Sequence, residues 1–221
     1  MGRCPAPSNA MRLSEKTLEL NFCAQATASV APRRLLWFGL TQKEEAKLGF
    51  DACTNLGGRL LIFQFKASNQ VVGSARRFHA PHGQMVRLQG LIPATGAVFY
   101  ALPLLGSTAD LARNPDVLGQ SRLLDVATLP NPMPAPTKKN GALRRSGIHY
   151  LDAYSSHVTI HSDPVDVQLT PAAEVFEESA DTSSVTAWFA DFVAFEALRR
   201  ALGPGARGAA ILPRPQLGDV G

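Results

Sequence analysis

Residues 41–68, TQKEEAKLGFDACTNLGGRLLIFQFKAS, decide how the rest of the chain is interpreted. The stretch begins with a short acidic helix, continues into a strand that carries Asp51, and turns at Gly57-Gly58 into the apolar strand LLIFQFK. A two-residue glycine turn predicts a tight β-hairpin in which residue 56 faces residue 59. Counting outward from that pair places Asp51 opposite Gln64.

The hairpin is predicted to gather three polar side chains on one face of the sheet. Directly paired residues point to the same face, and so do positions i and i+2 of one strand. The polar face then holds Asp51, Gln64 and Lys66, and the opposite face holds Leu61, Phe63 and Phe65. Burying a carboxylate, an amide and an ammonium is costly unless they pair or bind a cation, so this face is a candidate functional site.

The chemistry of this trio suits a hard divalent cation. A carboxylate and a neutral amide oxygen, completed by waters, are ligands for Mg²⁺ (or Mn²⁺), which prefers oxygen donors. A lysine beside such a cation would orient or deprotonate a water, or stabilise the charge that develops on a phosphate. The implied reaction is hydrolysis of a phosphodiester bond.

The same residues resemble a known family. An aspartate followed thirteen residues later by Q-x-K, with a glutamate on the preceding helix, resembles the PD-(D/E)xK nuclease superfamily in the Q-x-K variant of Mrr-like restriction endonucleases. The resemblance implies that Asp51 and Gln64 hold the metal, that Lys66 is the catalytic lysine, and that Glu45 or Glu44 is the helical glutamate. By analogy it implies a restriction-endonuclease-like core and defence against foreign DNA. No proline precedes Asp51, where the family name places one.

The glutamate that completes the site stays open at this point. The sequence TQKE has the pattern of a capping box, so Glu44 is expected to cap its own helix, which favours Glu45 by elimination. Glu15 and Glu19 compete for the same role, because LSEKTLELNFCAQATASV fits either a strand or a helix that begins at Ser14.

The distribution of charge points to a polyanionic partner. Residues 1–150 hold 18 Lys and Arg against 8 Asp and Glu, whereas residues 151–221 hold 4 against 10. A basic field around the hairpin is typical of a nucleic-acid binder, although the two parts would also neutralise each other within one fold. The basic residues expected to contact DNA phosphates, or alternatively to lie in solvated loops, are Arg76, Arg77, Lys138, Lys139, Arg144 and Arg145.

The expected architecture is α/β or α+β, with a mixed central sheet between flanking helices. Residues 97–105 read as a central strand, and 82–91 and 185–202 as helices, the second of them rich in aromatic residues. We expect a loose leader over 1–13, one domain over 14–202 with a mobile basic loop at 131–147, and a flexible tail over 203–221.

Composition narrows the class of protein. Apolar residues make up 45% and charged residues 18%, as in an ordinary globular protein, and the three cysteines are too scattered for a disulfide framework or a zinc site. No export signal or membrane span is evident, so a cytoplasmic protein is expected. A homodimer or a larger complex is left open. Two other functions stay open: an inactive module that binds nucleic acid or a partner, and a purely structural hairpin whose charges protect a sheet edge.

Overall fold

The computed structural model describes residues 10–32, 35–56, 59–95, 97–137, 147–161 and 165–178. The helices are α1 (Glu15–Ser29), α2 (Gln42–Leu48), α3 (His82–Thr95), α4 (Thr108–Arg113) and α5 (Ala172–Glu178). The strands are β1 (Trp37–Gly39), β2 (Ala52–Leu56), β3 (Arg59–Phe65), β4 (Val71–Val72), β5 (Ala75–Pro81), β6 (Val98–Pro103), β7 (Ser121–Asp125), β8 (Ile148–Ala153), β9 (His157–Ile160), β10 (Val165–Gln168) and β11 (Thr170–Pro171). This mixture is an α+β fold, as the sequence predicts.

The first sheet is mixed and contains the predicted hairpin. Its strand order is β1-β2-β3-β6-β7-β11, and every neighbouring pair is antiparallel except β3 and β6, which are parallel. A parallel pair needs a long crossover, and the segment between β3 and β6 includes α3. The apolar strand β6 lies in the middle of the sheet, as predicted from residues 97–105.

A second sheet was not predicted. Strands β10-β9-β8-β5-β4 form a wholly antiparallel sheet in that order. Arg76 and Arg77, predicted to contact DNA or to lie in a solvated loop, belong to β5, which pairs with β8 over six residues from Arg76 to Pro81. The pairing crosses about 70 residues of chain, so local pattern alone could not reveal it.

Two apolar clusters separate the layers of the fold. One lies between the first sheet, α3 and the second sheet, and includes Ile62, Met85, Phe78 and Leu151. The other lies on the opposite face of the first sheet, where α1 and α5 cover it. Phe22, Phe63, Phe65 and Phe176 pack there, with ring centroids 5.1 Å apart for Phe22 and Phe65 and 6.2 Å apart for Phe63 and Phe176.

Local signals around the hairpin are confirmed. Residues 15–29 form a helix whose N-cap is Ser14, which settles the open choice between strand and helix. Thr41 and Glu44 form the expected capping box of α2, and Gly49 ends that helix with a positive φ of 86°. This left-handed conformation favours glycine and lets the chain turn directly into Asp51.

Several sequence predictions fall outside the described residues. They concern most of the leader 1–13, the basic part of the loop 131–147, the aromatic helix at 185–202 and the tail 203–221. The end of the predicted leader is described and belongs to the fold: Arg12 forms a β-bridge with Ser107, and Leu13 is 4% exposed.

Candidate functional site

The hairpin has the register that the glycine turn predicts. Ala52 faces Phe63 and Leu56 faces Arg59, so the next pair outward is Asp51 and Gln64. The backbone N–H of Asp51 donates to the carbonyl of Phe63 at 3.0 Å and extends the pairing by that one residue. Asp51 therefore lies at the mouth of the hairpin, beside the end of β3.

Asp51 and Gln64 are in direct contact. Gln64 Nε2 donates to Asp51 Oδ2 at 2.7 Å, and the backbone N–H of Phe65 donates to the same oxygen at 2.7 Å. Gln64 Nε2 also donates to the carbonyl of Phe65 at 3.0 Å, while Gln64 Oε1 accepts from Gln84 Nε2 on α3 at 2.8 Å. The amide nitrogen of Gln64 thus faces Asp51, whereas the sequence analysis expected its oxygen there.

The environment of Asp51 favours its neutral form. Burial raises the pKa of Asp51 to about 7, against the hydrogen bond from Phe65 and the positive charge of Lys66, which lower it. The nearby carboxylates of Glu15 and Glu19 raise the pKa further. A carboxyl group with such a high pKa needs a compensating positive charge to be fully ionised near neutral pH.

Lys66 is buried, and its surroundings disfavour its charge. It is 8% exposed, and no carboxylate of the described residues lies within ion-pair distance of its ammonium. Burial lowers the pKa of Lys66, and the more distant charges of Glu15 and Asp51 offset this only in part. The ammonium lies 6.0 Å from the ring centroid of Tyr100. A lysine held in this way is a functional candidate, because its charge costs more free energy than its partners return.

The acids that influence Asp51 come from α1. Glu15 Oε1 accepts from the backbone N–H of Ala67 at 3.3 Å, next to Lys66, and Glu19 forms an ion pair with Lys16 at 2.6 Å. The first turns of α1 therefore lie against the end of β3.

Glu45 and Glu44 have different surroundings. Burial raises the pKa of Glu45, Lys16 lowers it and Glu19 raises it further, so Glu45 lies near the same cluster. Glu15 and Glu19 are among the main charges that raise the pKa of Asp51. Glu44 caps α2 as expected. Glu15 and Glu19 thus act on Asp51 through their charges, and the role predicted for Glu45 stays a prediction.

One carboxylate oxygen of Asp51 is left as a possible metal ligand, and magnesium at this site stays a prediction. Asp51 Oδ2 accepts two hydrogen bonds, but no described residue donates to Asp51 Oδ1. Among the described residues, no group of three or more acidic, histidine or cysteine side chains is arranged to hold a metal. Mg²⁺ is commonly bound through one or two carboxylates together with substrate phosphates, and this site matches that pattern better than a preformed cage.

Arg76 and Arg77, which the sequence analysis expected to contact DNA, have partners within the fold. Arg76 donates to the carbonyls of Leu104 and Ser68 at 3.0 and 2.8 Å. Arg77 makes two 2.6 Å hydrogen bonds to the carboxylate of Asp152. Both guanidinium groups therefore have partners within the fold, and their predicted contact with DNA stays a prediction.

The other four predicted DNA contacts lie outside the described residues, whereas Gln84 and Arg87, on α3, lie near the site. Lys138, Lys139, Arg144 and Arg145 lie outside the described residues. Arg87, on α3, is exposed, and a side chain at Gly49 would contact its Nε at 3.4 Å. The sequence analysis missed Arg87 and Gln84. They are three residues apart on the predicted helix 82–91, a spacing that places both on one face.

Comparison of the chain with protein-family models, with curated proteins and with solved structures found no match. Within the described part of the chain, no helix has the length and apolar character needed to cross a membrane.

Proposed function

We propose that this protein is a metal-dependent nuclease that hydrolyses phosphodiester bonds in DNA at the Asp51–Lys66 site. One observation supports the proposal: Lys66 is buried with no described carboxylate within ion-pair distance, and its charge acts on the half-buried carboxyl of Asp51, whose pKa is raised to about 7. Both groups are unfavourable in the isolated protein, and a bound cation and a phosphate would relieve both.

Each residue has a defined role in this reaction. Asp51 would hold Mg²⁺ or Mn²⁺ through its carboxylate, with Glu15 or Glu19 on α1 completing the negative site. The cation would supply positive charge to the phosphate oxygens when bound. Lys66 would orient the attacking water and stabilise the charge that develops on the phosphate. Its lowered pKa also makes its neutral form, a base, more accessible.

Charge supports DNA as the substrate. Residues 1–150 carry the basic excess of the chain, and the exposed side chains of Lys16 and Arg87 lie on helices that contribute to the site. Cations near the scissile phosphate would position the backbone without reading sequence. The predicted basic loop would add to this surface.

Cleavage assays test the proposal. Supercoiled, linear and single-stranded DNA would be incubated with Mg²⁺ or Mn²⁺ and wild type, Asp51→Ala or Lys66→Ala. We expect metal-dependent cutting that falls about a hundredfold or more in both variants. Lys43→Ala and Asp166→Ala are matched controls, because both residues are exposed, and they should cut like wild type. Cutting by both site variants at the wild-type rate would contradict the assignment.

A second candidate is a nucleic-acid-binding module without catalysis. It is favoured by Gln64, a neutral residue in direct contact with Asp51, which leaves less negative charge for a cation than a second carboxylate would. Under this alternative, wild type binds DNA with a strong salt dependence and never cuts it with either metal. Asp51→Ala and Lys66→Ala would then bind DNA with the same affinity as wild type, and none of the three proteins would cleave it.

A further inference from the structure

The outer face of the second sheet carries rows of polar side chains. Apolar residues of β5, β8 and β9, among them Phe78 and Leu151, point inward to the core that the two sheets share. Successive residues of a strand point to opposite faces, so the neighbours of these residues point outward. Tyr150 pairs with His79 on one side, and its carbonyl accepts from the backbone N–H of His161 on the other side at 3.1 Å. The outer face therefore has one histidine on each side of Tyr150.

The next row across the same strands contains a carboxylate that holds two of its neighbours in place. Arg77 Nε and Nη2 donate to Asp152 Oδ1 and Oδ2, each at 2.6 Å. His161 Nε2 lies 2.5 Å from Asp152 Oδ2 and donates to it, because a carboxylate only accepts. Asp152 is 4% exposed, and both of its oxygens are used. Asp152 thus fixes the positions of Arg77 and His161 and leaves their other ring and guanidinium nitrogens uncommitted.

The two rows line a pocket of about 330 Å³. Its walls are formed by Gln70, Arg77, His79, Tyr150 and His161, so none of the described residues that line it is acidic. Four groups in these walls have no hydrogen-bond partner among the described residues: the side chains of Gln70 and His79, Arg77 Nη1 and His161 Nδ1. A pocket with unpaired donors and no acidic wall suits an anion.

The charges around His79 favour the same kind of ligand. Partial burial lowers the pKa of His79, and the positive charges of Arg77 and Arg12 lower it further. The other ionisable groups in the pocket walls are Tyr150, whose ring centroid lies 4.9 Å from that of His79, and His161. An anion in the pocket would stabilise the protonated form of each histidine, because an opposite charge nearby raises the pKa of a histidine.

We propose that this pocket binds the phosphate group of a phosphate ester, carried by a free nucleotide or by a nucleic-acid strand. Its donors come from the segment before β4, from β5 and from the end of β9, and so from several directions. That arrangement suits the oxygens of a tetrahedral anion better than the flat edge of a carboxylate. The inference goes beyond the proposed function, because the pocket involves neither Asp51 nor Lys66.

Binding of sulfate and of inorganic phosphate, followed by NMR of the histidine ring resonances, is the first test. We expect saturable shifts of the His79 and His161 resonances, and an affinity about tenfold lower in His79→Ala, which is the effect of one hydrogen bond to a charged group. His157→Ala is the matched control, because His157 lies on the same face of β9 outside the pocket, and it should bind like wild type. Gln70→Ala should also weaken binding, and its control is Gln168→Ala, on β10.

The pH dependence of sulfate binding gives a second readout. Sulfate keeps its charge across the range in which histidines titrate, so any change in its affinity comes from the protein. Sulfate should bind more tightly as the pH falls, because the anion favours protonated histidine, and this dependence should be weaker in His79→Ala. An affinity that does not change with pH would overturn the role of the histidines and the inference with it.

Displacement of sulfate distinguishes the two sources of the phosphate group. The free nucleotide is the ligand if a nucleoside monophosphate displaces sulfate and a single-stranded oligonucleotide does not. The strand is the ligand if the oligonucleotide displaces sulfate with a strong dependence on salt. The inference is overturned if neither displaces sulfate, if sulfate and phosphate do not bind saturably, or if His79→Ala and His157→Ala bind equally well. Asp51→Ala should bind sulfate like wild type, so failure of this inference leaves the proposed function intact, and the reverse also holds.

Discussion

Replacing Lys66 with methionine is expected to stabilise the protein while it abolishes cleavage of DNA. The Lys66 side chain is 8% exposed, and its charged form is disfavoured by burial more than it is helped by Glu15 and Asp51. Methionine has a similar volume and keeps the apolar stem in the same contacts, so the change mainly removes a buried charge. Most substitutions of buried residues lower stability, which makes the opposite sign diagnostic.

The expected gain is small but measurable. Replacing a whole buried ion pair or triad with apolar residues of similar volume is often neutral or stabilising by about 1–4 kcal/mol, which bounds the gain from removing one poorly compensated charge. We expect the low end, about 1 kcal/mol, because Asp51 and Glu15 lose a nearby positive charge in the variant. For a chain of this size, 1 kcal/mol corresponds to a rise in melting temperature of roughly 2–4 °C.

Urea unfolding at pH 7 with a chelator, followed by circular dichroism, would measure the free energy of unfolding. Lys43→Met is the matched control, because Lys43 is exposed and its replacement should change stability by no more than about 0.5 kcal/mol. A loss of more than 1 kcal/mol in Lys66→Met would refute the reasoning, since it would mean that the ammonium has a stabilising partner. If Lys66→Met is more stable than wild type and still cleaves DNA at the same rate, the stability argument holds and the catalytic role of Lys66 is contradicted.

Three further predictions concern the ion pair of Asp152, the close contact at Gly106 and the helical acids. Asp152→Asn should cost about 2–3 kcal/mol at pH 7, less than a fully buried pair because Arg77 is 22% exposed. Burial alone would raise the pKa of Asp152, but the hydrogen bonds to Arg77 and His161 outweigh burial and lower the pKa. The carboxylate therefore contributes its full stabilisation above pH ~4 and loses it as the pH falls further. In urea unfolding, the difference in free energy of unfolding between wild type and Asp152→Asn should be smaller at pH 3 than at pH 7. Gly106→Ala should cost about 1–3 kcal/mol in the same assay, because a Cβ there would lie 2.5 Å from the carbonyl oxygen of Ser68, and an unchanged midpoint would contradict it. Glu19→Gln should slow DNA cleavage more than Glu45→Gln when the two variants are equally stable. The reverse order would indicate that Glu45, and not Glu19, is the helical glutamate that completes the site.

Much of the hairpin could be predicted from its own residues. The glycine turn sets which residues face each other, and the alternation of a strand assigns Gln64 and Lys66 to one face and Phe63 and Phe65 to the other. The capping box of α2 and a helix over 82–91 follow in the same way from short-range spacing, and the helix in the structure continues to Thr95. These features depend on residues within one or two turns of each other, and Asp51 meets Gln64 because only one tight turn separates them.

The second sheet and the partners of the charged side chains depend on the complete fold. The sequence predicts that Arg77 contacts a phosphate or lies in a solvated loop, and it gives no sign of the carboxylate partner that lies 75 residues further along the chain. The second sheet joins β5 to β8 across a similar distance. Such pairings are decided by how apolar faces meet in three dimensions, and no local pattern encodes them.

The sequence by itself determined a polar trio at the mouth of a hairpin and the chemistry that such a trio could perform. Only the tertiary structure decided which helix carries the acids that act on Asp51, that no described carboxylate lies within ion-pair distance of Lys66, and that the amide of Gln64 is linked to Gln84. The physical reason is that burial, pKa and hydrogen-bond direction are properties of the surroundings of a side chain, and those surroundings come from distant parts of the chain.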